Sequence, residues 1–285
     1  MQAIELPLAE FTGGLGFAEA PRWHGGALWV SDMVGRAVLR IPPSGRVEIQ
    51  VRTPGEPSGL GWLPDESMLI VQMEEHEIWR WDGSKLRRYS GTAPMSRVRL
   101  NDMVVDRTGR AWVGNFGFDY EKEPPRPTNL VCVDPGGNAW LAAENLLFPN
   151  GMAIDASGEH LVVGQSGSSE VIVFQIRPNG VLDKRRVYGT LPGKAVSDGL
   201  CLDAAGAVWV ASPATHEFLR MEPGGEITHR VDAGERYAIA CVLGGTDRRT
   251  LYCITSGTLS LREARHTRDS RIGVVAVEVP GAGIP

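Results

Sequence analysis

The chain has 285 residues, 42% hydrophobic and 22% charged, enough to bury a sizeable core. Its net charge of −5, with no long block of like charge, argues against nucleic acid or an anionic membrane as a partner. No apolar run approaches the ~20 residues that span a bilayer. Residues 1–11 lack the basic and apolar regions of a signal peptide, so a cytoplasmic location is expected.

In chain order, one unit recurs. A polar head residue leads a short apolar strand, a turn rich in Asp, Gly or Pro follows, and a second strand carries a large residue. The second-strand anchors are Trp29, Leu69, Trp112, Val162, Trp209 and Tyr252, separated by 40, 43, 50, 47 and 43 residues. The intervening turns include His24-Gly25-Gly26, Asp106-Arg107-Thr108-Gly109 and Asp155-Ala156-Ser157-Gly158. Gly tolerates positive φ, and Asp hydrogen-bonds its own turn backbone. A later strand pair completes the unit, as in Ala37-Val38-Leu39-Arg40-Ile41, Pro42-Pro43-Ser44-Gly45 and Arg46-Val47-Glu48-Ile49. Four short strands per ~40–50 residues is the pattern of a propeller blade. Six units predict an all-β, six-bladed β-propeller, with residues 1–285 as one domain. No helical segment of convincing length supports a solenoid. Strands at 4–8 and 272–279 are expected to meet in one blade and close the ring.

Two polar stretches break the rhythm. Residues 119–129 carry Pro124, Pro125 and Pro127, and residues 257–270 are rich in charge. Each reads as a surface loop or as a lid over one channel mouth. Cys132, Cys201, Cys241 and Cys253 are scattered in apolar contexts without a CxxC, which favours buried free thiols. A Cys241–Cys253 bridge is not readable from spacing.

The first strand of each blade lines the channel, so residues at its head gather at one mouth. Counting back ten to twelve residues from each anchor gives Glu19, Ser58-Gly59, Asn101-Asp102, Asn150, Asp198 and Ala240-Cys241. Carboxylates facing one another in a low-dielectric channel repel unless neutralised, and a divalent cation is the simplest remedy. Oxygen donors suit Ca²⁺, Mg²⁺ or Mn²⁺. The competing reading treats Asn-Gly and Asp-Gly as turn formers. Arg99, beside Asn101, either grips an anionic or hydroxylated ligand or is a solvated surface residue. Gly164-Gln165-Ser166-Gly167 misses a nucleophile elbow, and no P-loop, GxGxxG or HExxH is present. The eight tryptophans fall mostly at repeat positions, which fits blade packing.

Four segments carry a specific resemblance: Glu19-Ala20-Pro21-Arg22-Trp23, Arg99-Leu100-Asn101-Asp102, Phe148-Pro149-Asn150-Gly151-Met152 and Ser197-Asp198-Gly199. Over nearly the whole chain the sequence resembles the senescence-marker-protein / gluconolactonase / luciferin-regenerating-enzyme family. The resemblance implies a six-bladed propeller holding one divalent metal ion, with Glu19, Asn150 and Asp198 as ligands and Arg99 and Asn101 as substrate contacts. Ca²⁺ is the first expectation, with Zn²⁺, Mn²⁺ or Mg²⁺ as alternatives. The family more often has Gly where this chain has Ala20, a departure expected to be minor. An acidic substrate contact stays open among Asp119, Glu121 and Glu123.

The reading that follows is a metal-dependent lactonase opening a sugar acid lactone, with Asp198 as the catalytic residue that orients or deprotonates water. One alternative is a non-catalytic metal-binding propeller. Another is a hydrolase of a non-sugar lactone, an aryl ester or an organophosphate, which apolar walls from Phe116, Phe118, Trp62 or Met73 would favour. The expected partner is a small-molecule lactone, and the oligomeric state is left open.

Overall fold

Alternating apolar residues between Gly, Asp and Pro turns give short strands that pair in chain order. The computed structural model describes residues 3–92, 95–96, 98–120 and 122–285. The described residues form six sheets, antiparallel except for one short parallel pair in the fifth. The first blade is Ala18–His24, Ala27–Asp32, Ala37–Ile41 and Glu48–Arg52, and the second is Pro57–Trp62, Met68–Gln72, Glu77–Trp81 and Leu86–Gly91. The third is Leu100–Val105, Ala111–Asn115, Thr128–Val133 and Ala139–Leu146. The fourth is Pro149–Ile154, His160–Gln165, Glu170–Ile176 and Leu182–Thr190. The fifth is Leu200–Leu202, Val208–Ser212, Glu217–Met221 and Ile227–Asp232, and the sixth is Tyr237–Gly244, Thr250–Ser256, Ser270–Ala276 and Ala9–Leu15.

Each first strand touches the first strands of both neighbouring blades, and that of the sixth touches that of the first. The arrangement is a closed six-bladed propeller, as the repeat predicts. All six anchors lie on second strands. Trp29, Trp112 and Trp209 are buried among blade residues, so these indoles pack the blades. The apolar core lies between neighbouring blades.

The ring closes through both ends of the chain, but with a different N-terminal segment from the one expected. Ala9–Leu15 pairs antiparallel with Ser270–Ala276, with Ala9 opposite Val274 and Glu10 opposite Gly273. Ile4–Glu5 instead pairs parallel with Ile227–Asp232 as a fifth strand of the fifth sheet. Gly13 and Gly14 weaken the strand signal of the segment that closes the ring.

The polar stretch 257–270 folds into the helix Leu261–Thr267. Ser260 caps it by accepting a hydrogen bond from the Glu263 N–H at 3.4 Å. Ala264 is fully buried against the core. Arg265 is ion-paired with Glu56, and Arg268 with Asp32 at 3.3 Å, so the helix is tied down to the first and second blades. All four cysteines are buried and unpaired, and Cys241 faces Cys253 in the strand register without a bond. No described helix is long and apolar enough to cross a membrane.

Candidate metal centre and active site

The head residues reach the channel through breaks in strand register. The pairing of first and second strands slips between Glu19 and Arg22, Pro57 and Leu60, Leu100 and Met103, Pro149 and Met152, and Ala238 and Ala240. A bulge inserts an extra residue and re-aims the side chains around it. Five blades thus carry the same irregularity at the head position. At the fifth, Asp198 sits just before its strand, its N–H donating to the Ala211 carbonyl at 2.9 Å.

The glycines after Asn150 and Asp198 are not turn formers. Neither has a positive φ. A Cβ on Gly151 would overlap the Asp198 carbonyl oxygen and lie 2.8 Å from Gly199 Cα, and one on Gly199 would lie 2.7 Å from Ala240 Cα. These glycines let the fourth, fifth and sixth blades approach backbone to backbone, which draws Asn150 and Asp198 together. The turn-former reading is therefore set aside for this pair. Ala20 departs from the glycine pattern at a cost. It adopts φ 48, in the left-handed region, worth roughly 1–2 kcal/mol of strain for a residue with a Cβ. That conformation directs its N–H to Glu19 Oε2 at 2.8 Å.

Glu19 and Asn150 are buried, Asp198 is partly buried, and all three line one cavity of about 540 Å³. Asn150 Nδ2 donates to Asp198 Oδ1 at 2.6 Å and to Ser166 Oγ at 2.8 Å. Ser166 in turn donates to the Ser197 carbonyl at 2.7 Å. Ser166, from the stretch that fails as a nucleophile elbow, therefore holds Asn150. Its signal was the Gln-Ser-Gly turn at the end of the fourth blade's second strand. Burial pushes the Glu19 carboxyl well above its usual range, and repulsion from Asp198 and Asp102 adds to this. Burial likewise raises Asp198, to about 8, against the lowering influence of the Asn150 hydrogen bond.

Beneath the cavity lies a buried pair that sequence reasoning did not assign. Arg22 donates to Asp102 Oδ1 at 2.6 Å, and also to the carbonyls of Leu60 at 2.9 Å, Pro21 at 2.8 Å and Met103 at 2.5 Å. It links the first three blades inside the channel. Asp102, raised by burial and lowered by Arg22, also accepts from the Met103 N–H at 2.8 Å.

Arg99 and Asn101 line the same cavity. Arg99 is not a free cation: it is ion-paired with Glu74 and lies 4.0 Å from Glu56. Asn101 is 5% exposed, and its Nδ2 has no hydrogen-bond partner among the described residues. Of the three acids left open, Glu123 lines the cavity, Asp119 pairs with Lys122 at 2.8 Å, and Glu121 lies outside the described residues. Phe116 and Phe118 form part of the wall. Trp62 does not: it lies at the other end of the channel, stacked on His24 at 4.1 Å, and Met73 is buried in the core. The two irregular stretches meet over the cavity, with Tyr120 Oη donating to the Leu259 carbonyl at 3.4 Å.

The donor set fits a hard divalent cation. It offers one buried and one partly buried carboxylate and a carboxamide whose two hydrogen bonds both use nitrogen. Among the described residues, no group of three or more His, Cys, Asp or Glu side chains is arranged to hold a metal. This trio has only two acids.

The chain is similar to known proteins in sequence and in fold. The SMP-30/Gluconolactonase/LRE-like region model matches residues 17–258. Pentonolactonase from Haloferax volcanii is 24% identical over 84% of this chain and 81% of its own. Regucalcin from Danio rerio is 26% identical over 66% of this chain, and the match spans 63% of the relative's length. Among solved structures, a gluconolactonase from Xanthomonas campestris superposes with a TM-score of 0.76 at 22% identity, covering 96% of this chain and 89% of the other. A calcium-binding regucalcin from Agrobacterium tumefaciens superposes with a TM-score of 0.80 at 18% identity, covering 100% and 99%. These structural likenesses establish the propeller fold. The chain belongs to the SMP-30/gluconolactonase/LRE-like family.

Proposed function

We propose that this protein is a metal-dependent lactone hydrolase whose cation is held by Glu19, Asn150 and Asp198. The observation that carries the reading is the convergence on one open cavity of Glu19, repelled by Asp198, with Asn150 and the Asp198 carboxylate it hydrogen-bonds. A site with only a structural role has no use for such a cavity above it. When bound, a divalent cation there supplies Lewis acidity toward the lactone carbonyl. Ca²⁺ is the first candidate, with Mn²⁺, Mg²⁺ and Zn²⁺ as alternatives.

The chain's own groups do the rest. Asn101 Nδ2, buried and unpartnered, donates to an oxygen of the bound ring. Arg99, fixed by Glu74, positions the ligand from the side. Asp198 bonds Asn150 through Oδ1, and its Oδ2 accepts a proton from water as the water oxygen attacks the carbonyl carbon. The ring C–O bond then breaks, its oxygen takes up a proton, and a hydroxy acid leaves. The names of two relatives, a pentonolactonase and a gluconolactonase, point to sugar acid lactones for those proteins, and for this chain they support a lactone as the general substrate class. Because its ring is completed by strands from both ends, we propose that residues 1–285 act as one domain. Four buried, unpaired cysteines suit a reducing compartment, and we place the protein in the cytoplasm.

The test is a pH-indicator assay over a lactone panel, using chelator-treated protein reloaded separately with Ca²⁺, Mn²⁺, Zn²⁺ or Mg²⁺. Metal-restored turnover that is lost in Asp198→Ala is expected. Metal-dependent stabilisation without turnover of any lactone would instead leave a binding propeller.

A further inference from the structure

We infer that the substrate of this site is a lactone bearing an aromatic or alkyl substituent, bound with its ring on the polar floor and its substituent against an apolar wall. The inference rests on the lactonase reading and names the substrate class within it. The cavity of about 540 Å³ has room for a lactone ring and a further group of similar size.

Its wall is an interlocked set of aromatic rings. Phe116 lies 4.4 Å from Phe148 and 5.7 Å from Tyr120, and Phe118 meets Phe148 edge to face at 6.0 Å. Leu259 and Leu261, from the capped helical segment, also line the cavity. A flat or branched apolar group placed among these side chains exchanges water for close contacts.

Several polar groups beside the wall are already engaged within the protein. A buried ligand hydroxyl without a partner loses affinity, and a polyhydroxylated lactone carries several. Ser166 already donates to the Ser197 carbonyl and accepts from Asn150. Asn150 Nδ2 is held by Ser166 and Asp198. Arg99 is engaged by Glu74. Glu123 is on the exposed rim, 3.9 Å from Arg126. Asn101, which also lines the cavity, has a buried side-chain nitrogen with no partner among the described residues.

The experiment compares kcat/KM for γ-butyrolactone, γ-phenyl-γ-butyrolactone and glucono-1,5-lactone on the metal-reloaded protein. Calorimetric binding of the corresponding phenyl-substituted and polyhydroxylated lactams is measured in parallel. The phenyl lactone is expected to exceed both other lactones by about tenfold or more. Phe116→Ala and Leu261→Ala are each expected to shrink the phenyl-to-unsubstituted ratio several-fold, and the partly exposed Leu261 keeps this readout if the Phe116 variant does not fold. A preference for glucono-1,5-lactone, or an unchanged ratio in Leu261→Ala, overturns the inference and leaves the lactonase reading standing. Absence of turnover with every lactone overturns the lactonase reading instead. Lactam binding then decides: tighter binding of the phenyl lactam supports the apolar wall, and equal or weaker binding overturns it.

Discussion

Asp198 ties the stability of the metal-free protein to pH. In an unfolded chain its carboxyl ionises near 3.8, whereas in the folded channel burial raises it to about 8. Between those values the folded state holds a proton that the unfolded state has released. Stability contributed by this group is fully present below pH ~4, falls by about 1.4 kcal/mol per pH unit as pH rises, and levels off above pH ~8. The full span is on the order of 5 kcal/mol for one retained proton. Burial, with repulsion from Asp198 and Asp102, displaces Glu19 in the same direction, so it adds to the trend. Asp198→Asn removes the titrating group while keeping the shape. Urea unfolding of chelator-treated protein from pH 5 to pH 8 should show wild type losing stability relative to this variant as pH rises. A divalent cation should flatten the wild-type curve, because it needs the carboxylates that high pH creates. Parallel wild-type and variant curves across that range would refute the argument. Acids held low by turn hydrogen bonds, such as Asp65 and Asp134, lose their stabilisation at more acidic pH and do not confuse the comparison.

Three substitutions probe the scaffold. Gly151→Ala forces a methyl group into the Asp198–Leu200 backbone and should lower stability by about 1–3 kcal/mol and weaken metal binding; a urea midpoint equal to wild type would contradict the close approach. Arg22→Met leaves Asp102 buried without its partner and should destabilise by about 3–5 kcal/mol in chemical unfolding, whereas a loss below ~1 kcal/mol would show that the pair does not hold the channel. Ala20→Gly relieves a left-handed backbone worth roughly 1–2 kcal/mol. It also removes a buried methyl group worth about 0.8 kcal/mol and adds about 0.5–1 kcal/mol of chain entropy. The net change should stay within about 1 kcal/mol, and a loss above ~2 kcal/mol would place the importance of Ala20 in its packing.

Much of the fold was legible because it repeats. Six second-strand anchors and the turns before them reveal the blade, and the head offset collects Glu19, Asn101, Asn150 and Asp198 without coordinates. Less of the site was legible, because it depends on contacts between distant blades. Nothing local marks Arg22 as the guanidinium inside the channel, since its acceptors come from three blades. Gly151 and Gly199 look like turn residues in sequence, yet act by close packing across blade boundaries. Phe116 was readable as a wall candidate while Trp62 was not excluded, because the two ends of the channel look alike until the bulges fix which way each side chain points. The helical segment did carry a signal: Ser260-Leu261-Arg262-Glu263 is a capping pattern within a polar stretch. The ring-closing strand was obscured because Ala9–Leu15 contains two glycines, while the more apolar segment before it joins a neighbouring sheet.

The most direct test of the proposed metal centre is calorimetric titration of the chelator-treated protein with Ca²⁺ and Mn²⁺ at pH 8, beside Glu19→Gln, Asn150→Ala and Asp198→Asn. One saturable site per chain, weakened at least tenfold in each variant, is the predicted result. No saturable binding by either ion, or binding that all three variants retain, would contradict a cation held by Glu19, Asn150 and Asp198.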